Sequence, residues 1–182
     1  NQLADWGILT NSDSIANSPI HGPQRATSTT VNNVVQQLLD FSKMTTAIEL
    51  SGIYPSIDLE GEPIMLSGKV ILPAKGPIKR YILVSHYTIA SNAEAPSNIF
   101  SLEGLLVKLG YALIIPDYLG YGVTADHIHP YLVMDITARN VLDMYLAVVP
   151  FMEAAGCTPE HDDIYLMGYS QGIQSIFVKR FM

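Results

Sequence analysis

Gly168-Tyr169-Ser170-Gln171-Gly172 is the segment of this sequence best suited to do chemistry. It reads G-x-S-x-G, with an apolar run, Ile164 to Met167, before it and a helix-compatible stretch, Ile173 to Met182, after it. A serine on a tight strand-to-helix turn projects its hydroxyl above the end of a sheet. Gly168 and Gly172 leave room where side chains would meet crossing backbone. The first N–H groups of the following helix point at the same place and favour developing negative charge. The chemistry implied is nucleophilic attack by Ser170 Oγ on a carbonyl, with the backbone N–H of Gln171 as first donor to the oxyanion.

Other chemistries fit less well. The balance of 10 Lys+Arg against 17 Asp+Glu, a net charge of −7, argues against nucleic acid as a partner. A content of 48% hydrophobic and 15% charged residues argues against disorder. No apolar stretch is long enough for a transmembrane helix. Cys157 is the single cysteine, which excludes an internal disulfide and a multi-cysteine zinc site; it reads as a packed or surface thiol. His127 and His129 form H-x-H without an evident third ligand, and read as a polar loop at the rim of a site rather than a metal centre. No metal and no cofactor are expected, and His21 and His161 have no supporting context. The chain starts at Asn1, with no basic region before Arg25, so its first residues do not read as a signal peptide, and a processed or trimmed form is expected. A processed chain of exported origin is the expectation.

The elements that must position Ser170 follow from periodicity. A length of 182 residues suits one domain with an added arm. Residues 1–46 read as an extended Asn/Ser/Thr/Pro-rich arm and a helix near 30–43; residues 47–182 read as the body. Alternation predicts a strand over 47–54 and a second over Ile64 to Leu72, separated by turn formers from Pro55 to Pro63 and paired as a hairpin. Tyr81 to Val84, Tyr111 to Ile115 and Ile164 to Met167 are short apolar runs of the kind buried on both faces in a parallel sheet. Helical spacing predicts helices near 99–109, stopped by Gly110, and over about 132–149. The order β-β-β-α-β-α-β-α means a mostly parallel sheet, entered by an antiparallel hairpin, with helices on both faces.

Three segments together resemble the α/β-hydrolases, and within them the secretory lipase-like esterases. Tyr81 to Thr88 resembles strand 3 and its H-G-x oxyanion loop. Ile115-Pro116-Asp117-Tyr118-Leu119-Gly120-Tyr121-Gly122 resembles the D-x-x-G-x-G segment after strand 4, and Gly168 to Gly172 resembles the elbow after strand 5. The resemblance spans about residues 47–182. It implies ester or lipid hydrolysis through an acyl-enzyme on Ser170, with the oxyanion held by N–H groups of Gln171 and of Tyr87 or Thr88. Tyr87 stands where the family commonly has Gly, a departure that narrows the acyl pocket or shifts the donor. His86 precedes Ser170, whereas the family order is Ser, acid, His; it reads as support for the oxyanion loop rather than as the base. Asp117 likewise shapes its loop rather than serving as the acid. Tyr118, Tyr121 and Tyr169 are candidate pocket residues, and Tyr118, Tyr121 and Tyr131 serve equally well as packing.

The twelve residues after Ser170, Gln171 to Met182, contain no His, Asp or Glu. The resemblance therefore implies that the acid, the His and strands 6 to 8 lie beyond residue 182, and that the fold is incomplete after strand 5 and its helix. Strand 5 is then an open edge, fit to pair with a complementing C-terminal segment or a second copy. The alternative is an inactive fragment, or a binding or assembly module that kept the elbow.

Overall fold

The computed structural model describes residues 47–99 and 102–173. The expected arm over 1–46, its helix near 30–43 and most of the helix from Ile173 to Met182 lie outside them. Five strands form one sheet: β1 (Ala47–Ile57), β2 (Pro63–Pro73), β3 (Arg80–Ser85), β4 (Tyr111–Pro116) and β5 (Tyr165–Gly168). Their order across the sheet is β1-β2-β4-β3-β5. β1 pairs antiparallel with β2, β2 antiparallel with β4, and β3 runs parallel to both β4 and β5. One long helix, α1 (Met134–Ala154), covers one face, and a 3₁₀ helix at Leu102–Leu109 covers the other.

Side-chain alternation explains which strand lies where. In β1, Leu50, Gly52, Tyr54 and Ser56 are buried and their neighbours are not, as a strand at the margin with one covered face requires. In β2, Leu66 to Leu72 are buried without interruption, and β3 and β4 are buried on both faces after their first residue. Leu83 and Ile114 face α1, against Val141, Met144 and Val148. Ile82, Val84, Leu113 and Ile115 face the opposite way, onto Val107 of the 3₁₀ helix. A central apolar run thus feeds two cores at once.

Several boundaries differ from expectation. β1 runs through Pro55 to Ile57, because at the margin of the sheet a proline leaves no ladder bond unmade. The hairpin turn is confined to Asp58–Glu62, where Asp58 Oδ1 accepts the amides of Glu60 (3.0 Å) and Glu62 (2.8 Å). The helix expected over 99–109 is a 3₁₀ helix starting at Leu102; its last bond, Gly110 N–H to the Val107 carbonyl at 3.0 Å, spans three residues rather than four. α1 was expected to end near 149 but continues past Pro150 to Ala154. Pro150 sits on the exposed side, and Leu146, one turn before it, is exposed as well.

α1 stops in a Schellman turn. Gly156 N–H donates to Glu153 (3.0 Å) and Cys157 N–H to Met152 (2.9 Å). The Cys157 carbonyl in turn accepts the Tyr81 hydroxyl at 2.6 Å, tying the helix end to β3. β5 was expected to be buried, but Tyr165 and Leu166 are 43% and 40% exposed, because among the described residues β3 is its only strand partner.

Candidate active site

β3 and β5 end side by side, with Ser85 opposite Gly168. Immediately beyond, Ser170 has φ +55°, a left-handed conformation that costs an L-residue on the order of 1–3 kcal/mol. Helix begins at the next residue, and the Gly172 N–H closes the turn on the Tyr169 carbonyl at 3.0 Å. Ser170 is exposed. Gly172 is dictated by β3: a Cβ there would lie 2.0 Å from the Ser85 carbonyl oxygen and 2.9 Å from that of His86. The elbow and the loop after β3 are therefore packed backbone to backbone.

In that loop, two peptide planes are pinned from beneath. His86 is 4% exposed and its ring stacks on Tyr118 at 3.9 Å. The Tyr118 hydroxyl donates to the His86 carbonyl at 3.2 Å, and His86 Nδ1 donates to the Tyr87 carbonyl at 2.7 Å. In a trans peptide the N–H points opposite to the C=O. The N–H groups of Tyr87 and Thr88 are thus turned away from His86 and Tyr118. Nε2 of His86 lies 3.3 Å from the Asp117 carbonyl, so both ring nitrogens face backbone oxygens rather than Ser170.

Burial lowers the His86 pKa below its ordinary 6.5, outweighing the two carbonyl contacts and Asp117, which raise it. The folded protein then binds fewer protons than the unfolded chain between that lowered value and 6.5. Stability due to His86 is complete above about pH 7 and falls as pH drops through the unfolded value. The urea midpoint should decline from about pH 7 to pH 5 in the wild type, with a shallower decline in His86→Gln. Parallel slopes in the two proteins would contradict this.

Asp117 is fully buried below the loop. Its Oδ2 accepts the Ser67 hydroxyl at 2.5 Å and its Oδ1 the Ser97 amide at 2.8 Å, while its own amide donates to the Ser67 carbonyl at 2.9 Å. Ser67 Oγ also accepts the Val123 amide at 3.0 Å. Asp117 is thereby committed to holding the post-β4 loop between β2 and the 92–98 segment. Ser67 drew no notice in the sequence, where an inward serine in a strand carries no local signal.

Tyr118, a candidate pocket residue, is 1% exposed and lies under the loop after β3, stacked on His86, rather than in an open wall. Tyr121 is half-buried, its hydroxyl on the Ile89 carbonyl at 2.8 Å. Tyr131 is exposed, with its hydroxyl 3.4 Å from Thr88 Oγ1. Tyr169 stacks on Tyr87 at 5.1 Å, both well exposed. Burial, then the neighbouring and hydrogen-bonded Glu103, raise the Tyr169 pKa, so it stays a neutral donor. These two rings border a cavity of about 240 Å³ whose wall includes Val84, His86, Ile89, Ile99, Leu102, Glu103 and Ile115.

The H-x-H histidines part company. His127 is exposed beside Asp126 at 2.9 Å. His129 turns inward, with Nδ1 2.7 Å from the Leu119 carbonyl and Nε2 2.7 Å from Gln171 Nε2. Its contact with the elbow spans 42 residues and was not foreseen. Among the described residues no histidine is hydrogen-bonded to the Ser170 hydroxyl.

A strand order of β1-β2-β4-β3-β5 with a serine elbow after β5 defines a class, and solved structures agree. The chain is similar to a protein of Legionella pneumophila assigned as a hydrolase, with 26% identity and a TM-score of 0.64 over 75% of this chain and 39% of that one. It is similar to a ligand-bound form of the rice cell wall degrading esterase LipA from Xanthomonas oryzae, with 25% identity and a TM-score of 0.63 over 77% of this chain and 39% of that one. Candida antarctica lipase A shares the fold, with 18% identity and a TM-score of 0.53 over 75% of this chain and 34% of that one. No family model matches the chain, and no curated protein does. The chain has the first five strands of the α/β-hydrolase fold, resembles that superfamily, and spans about two-fifths of the length of the first two structures.

Proposed function

We propose that this chain carries the nucleophile and oxyanion half of a serine hydrolase of carboxylic esters. Ser170 Oγ attacks the acyl carbon, and the carbonyl electron pair moves onto oxygen. The N–H of Gln171 and that of Tyr87 or Thr88 receive the oxyanion. Collapse expels the alcohol and leaves the acyl group on Ser170, from which water removes it as the acid. The reaction also needs a base to take the Ser170 proton and an acid to orient that base, and among the described residues no histidine is hydrogen-bonded to Ser170. No cofactor enters any step.

The observation that carries this reading is the positive φ of Ser170 at the junction of β5 and a helix, one residue pair from the pinned loop after β3. The cavity beside Tyr87 and Tyr169 suits a small acyl or alcohol group, with largely apolar walls. Among the described residues β5 pairs only with β3, and its other side suits a further strand, from a complementing segment or a second copy. An exported location belongs to the same reading, in keeping with the cell wall degrading esterase it is similar to. No described helix is long and apolar enough to cross a membrane.

The test is turnover of p-nitrophenyl butyrate by the full-length protein. Ester hydrolysis that Ser170→Ala abolishes supports the reading. Turnover that Ser170→Ala leaves intact removes Ser170 as the nucleophile, and none at all in folded protein favours the non-catalytic binding or assembly module.

A further inference from the structure

We propose that His129 is a positioning residue for the elbow: its imidazole holds the Gln171 side chain and thereby orients the peptide that follows Ser170. The contact stands on geometry alone; its catalytic role rests on the ester-hydrolase reading above.

The Leu119 carbonyl can only accept, so the proton of a neutral His129 ring sits on Nδ1. Nε2 is then a bare lone pair, and the Gln171 amide donates to it at 2.7 Å. Turning the amide over would set oxygen against that lone pair, so the assignment is fixed by Leu119. Gln171 is 4% exposed, and its Oε1 is buried with no hydrogen-bond partner among the described residues. His129 is therefore the side chain's anchor there.

The post-β4 loop is built to present this ring. Gly120 has φ +90°, and a Cβ on it would lie 2.5 Å from the His129 Cα, so glycine admits the close approach of the two strands of the loop. Tyr121 packs its ring 4.7 Å from the imidazole. Gln171 supplies the first oxyanion donor in the proposed reaction. A side chain held at its far end leaves its backbone N–H less freedom, which is where preorganisation acts.

The experiment uses the full-length protein and a fluorophosphonate that phosphonylates serine nucleophiles. His129→Phe keeps a flat ring and removes the acceptor. His129→Gln sets an amide oxygen near the place of Nε2. The limiting rate of phosphonylation should fall about tenfold in His129→Phe, with an unchanged half-saturating concentration, and largely return in His129→Gln. An unchanged rate in folded His129→Phe, or an equal loss in both variants, overturns the proposal. ¹⁵N NMR of the histidine rings separates the two claims. A His129 ring protonated at Nδ1, whose Nε2 signal moves in Gln171→Leu, supports the contact even if Ser170 is never labelled. A proton on Nε2 overturns it, whatever the rate.

Discussion

Ser170→Ala should lower ester turnover by a factor on the order of 10⁴–10⁶ and leave the fold in place. The loss is large because in the proposed reaction the hydroxyl oxygen is the atom that forms the new bond. The fold should survive because Ser170 is exposed, and among the described residues its hydroxyl has no partner that the structure depends on. Its strained φ of +55° is set by the turn, which the variant keeps. Substrate affinity should change little, since the cavity walls belong to other residues. Turnover and thermal unfolding of wild type and variant check this together. A loss of turnover with a matching loss of folded protein would assign Ser170 a structural role instead.

Gly172→Ala should damage both fold and rate. The added Cβ meets backbone, not side chain: 2.0 Å to the Ser85 oxygen, 2.7 Å to the Ser85 carbonyl carbon and 2.9 Å to the His86 oxygen. No rotamer change relieves that. Either β5 and its helix move away from β3, or the 85–88 loop shifts. Overpacking of this kind costs about 1–3 kcal/mol. A displacement near 1 Å between nucleophile and oxyanion donors costs about 10²-fold in rate. Gly76→Ala is the control: its φ of +85° is unsuited to alanine, but a Cβ there meets nothing within 4 Å. It should lose at most about 1 kcal/mol and keep the wild-type rate. Equal behaviour of the two variants would remove the argument for the elbow's close packing against β3.

Much of this was legible in the residues because the signals are local. The apolar run Tyr81 to Val84 follows basic Lys79-Arg80, the run Tyr111 to Ile115 lies between Gly110 and Pro116, and both lie within strands. The elbow motif carries its own context, a strand before it and a helix after. What was not legible depends on distant partners. Pro150 looks like a helix stop unless its exposed placement is known. Ser67 gains meaning only when Asp117, fifty residues on, arrives beside it. His129 looked like half of an H-x-H pair at a rim. Folding places it instead between Leu119 and Gln171, a pairing no spacing rule encodes. Tyr118 reads from the sequence equally as pocket lining or as packing, and left-handed backbone at φ +65° turns it beneath His86.

The central claim is that Ser170 is an activated nucleophile, and mass spectrometry of the fluorophosphonate-treated protein tests it most directly. One phosphonyl group per chain is expected, mapped to the peptide bearing Ser170 and absent in Ser170→Ala. Folded wild-type protein that stays unmodified, or an adduct on any other residue, would contradict it.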